Sequence, residues 1–253
     1  MRIPNIISQV KIIVLGAGGT GGYVLPHLYR IGFASQYEIR VIVCDGDRVE
    51  ARNLVRQNFI DQDIGENKAL VLSRRYAGVF GIEAEYIPSF IEEADTLERL
   101  IQPTNIFEQV ILLGCVDNNK SRRICHEVFY RTDNLIYIDA GNGEYTGQVV
   151  CGVRSNGRTL WKPVAAVYPD VLEEDAEDRF PSELSCAEQA VSAPQTVTAN
   201  LMAATLLTTY LYKLLITGQT DTRYATFSSN LLSVRPIKTT RKTHKPVALP
   251  PAA

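Results

Sequence analysis

An apolar run that breaks directly into closely spaced glycines is the feature that most constrains how this chain folds. Residues Val10 to Leu15 are mostly apolar and rich in β-branched side chains, and Gly16-Ala17-Gly18-Gly19-Thr20-Gly21-Gly22 follows at once. A helix-forming segment, Tyr23 to Ile31, comes next. This order predicts a strand, a tight turn and a helix. The free N–H groups of such a turn, and the positive end of its helix, face an anion.

A second apolar run, Ile39 to Cys44, ends in Asp45-Gly46-Asp47. An acidic residue at the end of the second strand commonly holds a nucleotide ribose, because a carboxylate accepts hydroxyl protons. The turn and the acidic residue fit NAD and ATP equally well. They predict a nucleotide site with its phosphates at Gly16, Gly18, Gly19 and Gly21.

Polar residues further along the chain favour ATP. The segments Asn53-Leu54-Val55-Arg56-Gln57 and Gly65-Glu66-Asn67-Lys68 follow the acidic residues. A triphosphate carries more charge than a pyrophosphate, and an arginine fork together with a mobile lysine can neutralise it. A dinucleotide site has little use for Arg56 and Lys68. On a solvated face, however, the same charges would be unremarkable.

These motifs, with an apolar strand that ends in Asp117-Asn118, resemble in order and spacing the ThiF/MoeB/HesA family of E1-like enzymes. Members of that family adenylate the C-terminus of ubiquitin-like and sulfur-carrier proteins. The resemblance is tightest over residues 10 to 120 and continues more loosely to about residue 217. Within the family, the chain is most similar to the ThiF-like member of the plasmid-associated PRTRC gene system.

The resemblance implies an ATP site with Mg²⁺. Besides the glycines, it implies cofactor-binding roles for Asp45, Asp47, Asn53, Arg56, Gln57, Lys68, Asp117 and Asn118. Asp117 would hold the magnesium, which needs few carboxylates when phosphate oxygens and water complete its shell. The structural alternative for Asp117 is a helix cap, since a helix is predicted over Lys120 to Arg131, and both roles can hold at once. Asp47 could do no more than shape its loop.

The resemblance also points to Cys186, which precedes an apolar helix predicted over Pro194 to Ile216. In the resembled enzymes a cysteine of this connecting loop forms a thioester or carries persulfide sulfur. Such a nucleophile needs a thiolate, which nearby cations favour. The sequence neighbours Glu183 and Glu188 are acids instead. The sequence therefore leaves open whether Cys186 is catalytic.

Composition excludes several classes of protein. The net charge of −2 argues against general nucleic-acid binding. No apolar run approaches the roughly 20 residues that span a bilayer, and the first residues do not form a signal peptide. We therefore expect a cytoplasmic protein. The five cysteines form no CxxC pair, so we expect neither a disulfide framework nor zinc, although many members of the resembled family bind structural zinc.

Strands alternate with helices along most of the chain. This order predicts a Rossmann-like α/β fold, with a mostly parallel sheet and helices on both faces. The glycine-rich, β-prone segment from residue 141 to 158 predicts an antiparallel C-terminal extension. We divide the chain into an adenylation core (1–160), a crossover loop (161–193), a helix and strands that complete the same domain (194–237) and a flexible tail (238–253).

The predicted reaction is ATP-dependent adenylation of the C-terminal carboxylate of a small β-grasp protein, with release of pyrophosphate. The family also implies a homodimer, joined partly by the predicted helix 194–216. Dimeric relatives supply an arginine from an N-terminal helix of the partner subunit to the triphosphate. Here nine residues precede the first predicted strand, and Arg2 is the sole arginine among them. Either Arg2 serves, or the activity is weaker or differently organised.

Two alternative functions remain open at this point. One is an NAD(P)-dependent oxidoreductase built on the same glycine turn. The other is a nucleotide-gated binding module in plasmid maintenance, which would bind ATP without pyrophosphate chemistry.

Overall fold

The computed structural model describes residues 1–173, 179–183 and 195–238, which contain nine strands. The strands are β1 (Gln9–Leu15), β2 (Glu38–Cys44), β3 (Ala84–Ile87), β4 (Glu108–Gly114), β5 (Leu135–Asn142), β6 (Thr146–Ser155), β7 (Arg158–Trp161), β8 (Thr222–Ser228) and β9 (Ser233–Lys238). The helices are α1 (Gly19–Ala34), α2 (Lys68–Phe80), α3 (Ala94–Ile101), α4 (Asn119–Arg131), α5 (Val164–Val167) and α6 (Val197–Leu215).

The first five strands form the parallel half of one sheet, in the order β3-β2-β1-β4-β5. Strand β1 lies at its centre, with Leu15 opposite Cys44 of β2 and Gly114 of β4. Continuous apolar runs suit strands that are covered on both faces. The carboxyl ends of β1, β2, β4 and β5 therefore meet at one edge of the sheet.

The remaining strands extend the sheet in the antiparallel sense. Strand β6 pairs with β5 and with β8, β9 follows at the edge, and β7 pairs with the far end of β6. The mostly parallel sheet with an antiparallel extension is thus confirmed.

Helices cover both faces of the sheet, as the side chains of β1 show. Ile12 and Val14 pack in one core cluster, with residues of α1, α2 and α6. Ile13 and Leu15 alternate with them and pack in the other, with residues of α3, α4 and α5. Because successive strand residues point to opposite faces, this alternation confirms the three-layer arrangement.

Several boundaries differ from the sequence prediction. Helix α6 begins three residues later than predicted, because the Thr196 hydroxyl accepts the N–H of Ala199 and caps it. The sequence pattern predicts a strand over Leu231 to Pro236, whereas β9 begins at Ser233, because Leu232 has a positive φ of 49° and lies in the preceding turn. The polar sequence of residues 48–64 predicts a loop, but this segment contains two 3₁₀ helices, Ala51–Val55 and Asp61–Asp63.

The predicted crossover loop, 161–193, contains short helices in its described part. Its described part contains α5 and two 3₁₀ helices, Pro169–Leu172 and Pro181–Glu183. Of the predicted tail, only Lys238 lies within the described residues, where it ends β9. Among the described helices, none is both long and apolar enough to cross a membrane.

Candidate active site

A cleft of about 650 Å³ lies at the carboxyl edge of the parallel strands. It is lined by eleven of the residues that the sequence nominates: Gly16, Gly18, Gly19, Asp45, Asp47, Asn53, Arg56, Gln57, Lys68, Asp117 and Asn118. They come from five separate stretches of chain, and the sheet order brings them together. Gly21 is not among the lining residues, and Arg2 is exposed and also lies outside the cleft lining.

The glycine turn between β1 and α1 is closely packed. Gly16 has φ of +91°, and a Cβ there would lie 2.6 Å from the carbonyl oxygen of Cys115. A Cβ on Gly21 would overlap the carbonyl oxygen of Gly16. Gly21 therefore lets α1 pack on the turn, whereas Gly18 and Gly19 expose the start of α1 to the cleft. The first N–H groups of that helix form an anion-binding end.

Asp45 is buried at the end of β2 and organises the adjoining backbone. One carboxylate oxygen accepts the N–H of Ala17 at 2.6 Å, and the other accepts the N–H of Asp47 at 2.8 Å. Burial raises the pKa of Asp45 to about 6, with the nearby Lys68 and the two N–H donors opposing the shift. Each oxygen keeps a second lone pair, so Asp45 can still accept protons from ligand hydroxyls.

Lys68 is the first residue of α2 and is 5% exposed. Its ammonium group lies 2.8 Å from a carboxylate oxygen of Asp47. Asn67 holds this arrangement, since its amide donates to the carbonyl oxygens of Asp45 and Asp47 while its side-chain oxygen caps α2 at Leu70. No role was predicted for Asn67 from the sequence, although an asparagine just before a helix is a typical N-cap.

Arg56 is tied to the residue just before the N-cap of α6. Its guanidinium donates to the side-chain oxygen of Gln195 at 3.2 Å. The Gln195 amide in turn reaches the carbonyl oxygen of Asn142 at 3.5 Å, and Asn142 contacts Thr20 and Asn200. A polar chain thus runs from Arg56 through Gln195, just before α6, to Asn142 of β5, which contacts Thr20 of α1 and Asn200 of α6.

Asn53 and Gln57 lie in and just after the 3₁₀ helix Ala51–Val55. The side-chain oxygen of Asn53 accepts the N–H of Glu50, so Asn53 is tied to its own loop. Gln57 is buried against Gly18, with its side-chain oxygen unpaired. An unpaired buried carboxamide beside the glycine turn is available to a ligand.

The sequence left Asp117 with two possible roles, magnesium binding and helix capping, and the structure gives the capping role to Asn118. Asn118 is the N-cap of α4 and accepts the N–H of Ser121 at 2.8 Å, so the helix-cap alternative for Asp117 is wrong. Asp117 is exposed to the cleft. Within residues 1–173, 179–183 and 195–238, no three His, Cys, Asp or Glu side chains are grouped to hold a metal. A magnesium ion at Asp117 would therefore rely on phosphate oxygens and water, which suits its chemistry.

Part of the cleft lining is apolar and includes Leu15, Cys44, Phe90, Ile91 and Val116. The Phe90 ring lies where a side chain on Gly46 would be, with its nearest atom 2.6 Å from that Cβ position. The ring therefore stands beside Asp45, the neighbour of Gly46. The sequence did not indicate the position of Phe90, because Phe90 lies outside any periodic segment.

The cysteines are placed differently from one another. Cys44, Cys125 and Cys151 are buried, as expected of small core residues. Cys115 lies in the turn after β4 and, like Cys44, lines the cleft, and burial raises the pKa of its thiol. Cys186 lies outside the described residues. Glu183, which sequence analysis took as a local acid, is paired with Lys120 of α4 at 2.7 Å.

Comparison with known proteins identifies the family. The profile of the ThiF family matches residues 5–247. The chain is 45% identical over 221 residues to the NEDD8-activating enzyme E1 catalytic subunit of Saccharomyces cerevisiae, covering 71% of this chain and 70% of that protein. It is 41% identical over 96 residues to the sulfur carrier protein adenylyltransferase of Thermus thermophilus, covering 37% of this chain and 34% of that enzyme.

Solved structures agree at the level of the fold. A crystal structure of Escherichia coli MccB with ATP superposes with a TM-score of 0.63 at 19% identity, over 95% of this chain and 66% of that one. The chain thus spans about a third of the Thermus enzyme and about two thirds of MccB. The narrower PRTRC resemblance stays a prediction. With a profile match over nearly its whole length, the chain belongs to the ThiF family.

Proposed function

We propose that this chain uses ATP to adenylate the C-terminal carboxylate of a small ubiquitin-like or sulfur-carrier protein. The observation that carries the proposal is the convergence of the glycine turn, the buried Asp45 and the cations Arg56 and Lys68 in one cleft. The named activities of the yeast and Thermus relatives support the substrate class. The pyrophosphate of a nicotinamide dinucleotide carries less charge than a triphosphate and would not account for the two cations.

The cleft accommodates ATP in three parts. Its apolar residues Phe90 and Ile91 suit the base, and Asp45, next in the chain to the Gly46 that Phe90 covers, suits the ribose. The glycine turn, Arg56 and Lys68 then face the triphosphate. The cleft volume of about 650 Å³ falls within the range of about 300 to 1,000 Å³ usual for small-molecule sites.

In the proposed reaction, a carboxylate oxygen of the partner attacks the α-phosphorus. A new P–O bond forms, the bond to the bridging oxygen of the β-phosphate breaks, and pyrophosphate leaves with that electron pair. The chain acts by positioning the groups and offsetting charge. Arg56 and Lys68 would stabilise the departing pyrophosphate. Before ATP binds, they are held by Gln195 and Asp47, so the nucleotide must compete with these contacts.

We propose Asp117 as the magnesium-associated carboxylate. It is exposed at the cleft and follows β4, on the edge where the other site residues lie. A magnesium ion, when bound, neutralises phosphate charge. Asp117 would help to position the magnesium ion, and one carboxylate is sufficient for this role.

The homodimer also stays a proposal, supported by the outer face of α6. Leu201, Tyr212 and Ile216 are 42%, 51% and 36% exposed there. These residues, at helical spacing, leave apolar surface that a second copy could cover. Later thioester or persulfide chemistry at Cys186 is a separate step of the proposal.

ATP–pyrophosphate exchange tests the proposed function, with MgATP and a candidate β-grasp protein. Wild type is compared with Arg56→Ala and Asp117→Ala, and with Arg74→Ala as an exposed arginine control on α2. We expect partner-dependent exchange that the first two substitutions abolish and the third preserves. Cys186→Ala would then separate adenylation from thioester formation.

Two results would favour the other functions. Absence of exchange, despite measurable binding of ATP and partner, would mean that the fold serves as a nucleotide-gated binding module. Thermal stabilisation by NADH but not by ATP would favour an oxidoreductase.

A further inference from the structure

We propose that Arg122 is a positioning residue that fixes the turn after β4 and thereby sets Asp117 in the cleft. The inference rests on the proposed function, because it concerns how the magnesium-associated carboxylate is placed. Arg122 lies on α4, five residues beyond Asp117, and is 8% exposed. Its guanidinium joins groups from the turn, from α4 and from the end of β5.

The central contact fixes the peptide that carries Asp117. Nη2 of Arg122 donates to the carbonyl oxygen of Val116 at 2.6 Å. That carbonyl belongs to the peptide plane linking Val116 to Asp117, and the plane is rigid. The orientation of the Val116 carbonyl therefore sets the position of the Asp117 backbone. The Asp117 carboxylate is exposed, and its negative charge also interacts with the Arg122 guanidinium, so its placement depends on the turn and on Arg122.

The same guanidinium ties the turn to neighbouring elements. Nη2 also reaches the carbonyl oxygen of Ala140 at 3.4 Å, and Nη1 donates to the side-chain oxygen of Asn119 at 3.2 Å. A planar fork can serve such separated acceptors at once, whereas a lysine ammonium is a single point charge. The geometry requires arginine rather than any cation.

Asp139 and Tyr137 hold Arg122 in this orientation. Asp139 is fully buried in β5 and accepts from Nε of Arg122 at 3.1 Å. Its second oxygen accepts the Tyr137 hydroxyl at 2.8 Å. Gly114, opposite Asp139 in the sheet, provides the space, since a Cβ there would overlap the carboxylate. The charge of Arg122 is thus balanced within the protein.

Arg122 also lines the cleft, but the burial of its partner distinguishes it from Arg56 and Lys68. Asp139, which pairs with Arg122, is fully buried, whereas Asp47, which pairs with Lys68, is partly exposed, and Arg56 contacts the neutral Gln195. Arg122 therefore acts on the ligand through Asp117 rather than by attracting phosphate directly. A purely structural role would alter stability without altering the response to magnesium.

The test measures ATP affinity by calorimetry with Mg²⁺ and with EDTA, on the full chain. The ratio of the two affinities is the magnesium gain. We expect wild type to show a gain, and Asp117→Ala and Arg122→Lys both to remove it. Arg122→Lys should leave the metal-free affinity at the wild-type value. The double variant should lose no more of the magnesium gain than either single variant does, because the two residues act in one chain of contacts.

Arg123→Lys is the matched control. Arg123 is the next residue of α4, and its guanidinium also donates to two carbonyl oxygens, those of Val171 and Glu173, away from the cleft. Arg123→Lys should retain the full magnesium gain. In exchange assays Arg122→Lys should lose about ten- to a hundredfold in rate, the scale of a displacement of about 1 Å in a reacting group.

A wild-type magnesium gain in Arg122→Lys would overturn the proposal, as would the absence of any gain in wild type. If Arg122→Lys does not fold, Tyr137→Phe replaces it, since it removes one hydroxyl contact to Asp139. An unchanged gain in that variant would also overturn the proposal. If wild type catalyses no exchange, the proposed function fails, whereas the magnesium gain still decides the role of Arg122.

Discussion

ATP affinity should fall as the pH decreases through about 6, because of Asp45. Burial raises the pKa of this carboxyl to about 6 in the free protein. In the proposed complex, ribose hydroxyls donate to the ionised carboxylate, so the nucleotide stabilises the charged form and lowers that pKa. Binding below pH 6 must therefore release a proton. The affinity should rise with pH up to about 7 and be level above it.

The expected size follows from the ionised fraction of Asp45. With a pKa of about 6, roughly nine-tenths of the protein is ionised at pH 7 and roughly one-tenth at pH 5. The affinity should therefore differ about tenfold between these pH values, or about 1.4 kcal/mol. Asp45→Asn should bind ATP more weakly at pH 7 and lose this dependence.

The assay compares ATP with 2′,3′-dideoxy-ATP by calorimetry from pH 5 to pH 8. Both carry the same triphosphate, so protonation of the phosphates cancels in the ratio of their affinities. Asp61→Asn is the control, because Asp61 is exposed in a neighbouring 3₁₀ helix. A ratio that stays constant across this pH range would refute the assignment of Asp45 to the ribose.

Five further substitutions, at four positions, test the packing and the site. Gly21→Ala should destabilise the fold by more than about 2 kcal/mol in urea denaturation, because the new Cβ would overlap a carbonyl oxygen of the glycine turn. Gly78→Ala, in α2 where a Cβ meets nothing within 4 Å, should instead stabilise by about 0.5 to 1 kcal/mol, and equal effects of the two would contradict the packing argument. Asn118→Ala should lower the free energy of unfolding by about 1 kcal/mol, because the helix cap is removed. Asn118→Asp should keep the cap, but calorimetry should show weaker ATP binding, since a negative charge replaces an amide donor. Lys68→Ala should weaken binding of a fluorescent ATP analogue at least tenfold, because a charged hydrogen bond contributes about 1.5 to 3 kcal/mol; unchanged anisotropy titrations would remove Lys68 from the site.

The sequence predicted the parallel half of the sheet well, because the apolar runs are local signals. The run from Val10 to Leu15 matches β1 except for its first residue, and the run from Ile39 to Cys44 matches β2 in the same way. Once these strands are known to be parallel, their carboxyl ends must share an edge. That rule alone places Asp45 and Asp117 on one cleft.

The parts that the sequence missed depend on contacts between distant residues. Arg122 pairs with Asp139 across 17 residues, and no periodicity announces such a pair. Asn200 is fully buried on α6 beside Gly19, and its only signal was a polar residue within an apolar helix. Short 3₁₀ helices were also missed, because a single turn is too short to show a helical repeat.

The strand order has a consequence for how the protein folds. Strand β1 pairs first with β2, its neighbour in sequence, but its other partner is β4, where Gln9 lies opposite Glu108. Closing a loop of about a hundred residues costs chain entropy before any contact offsets it. The glycine turn can therefore form early with β2, whereas Asp117 reaches it only when β4 docks. During synthesis, a nascent chain that ends before β4 should expose an incomplete half-cleft, and nucleotide could stabilise the fold only after that docking step.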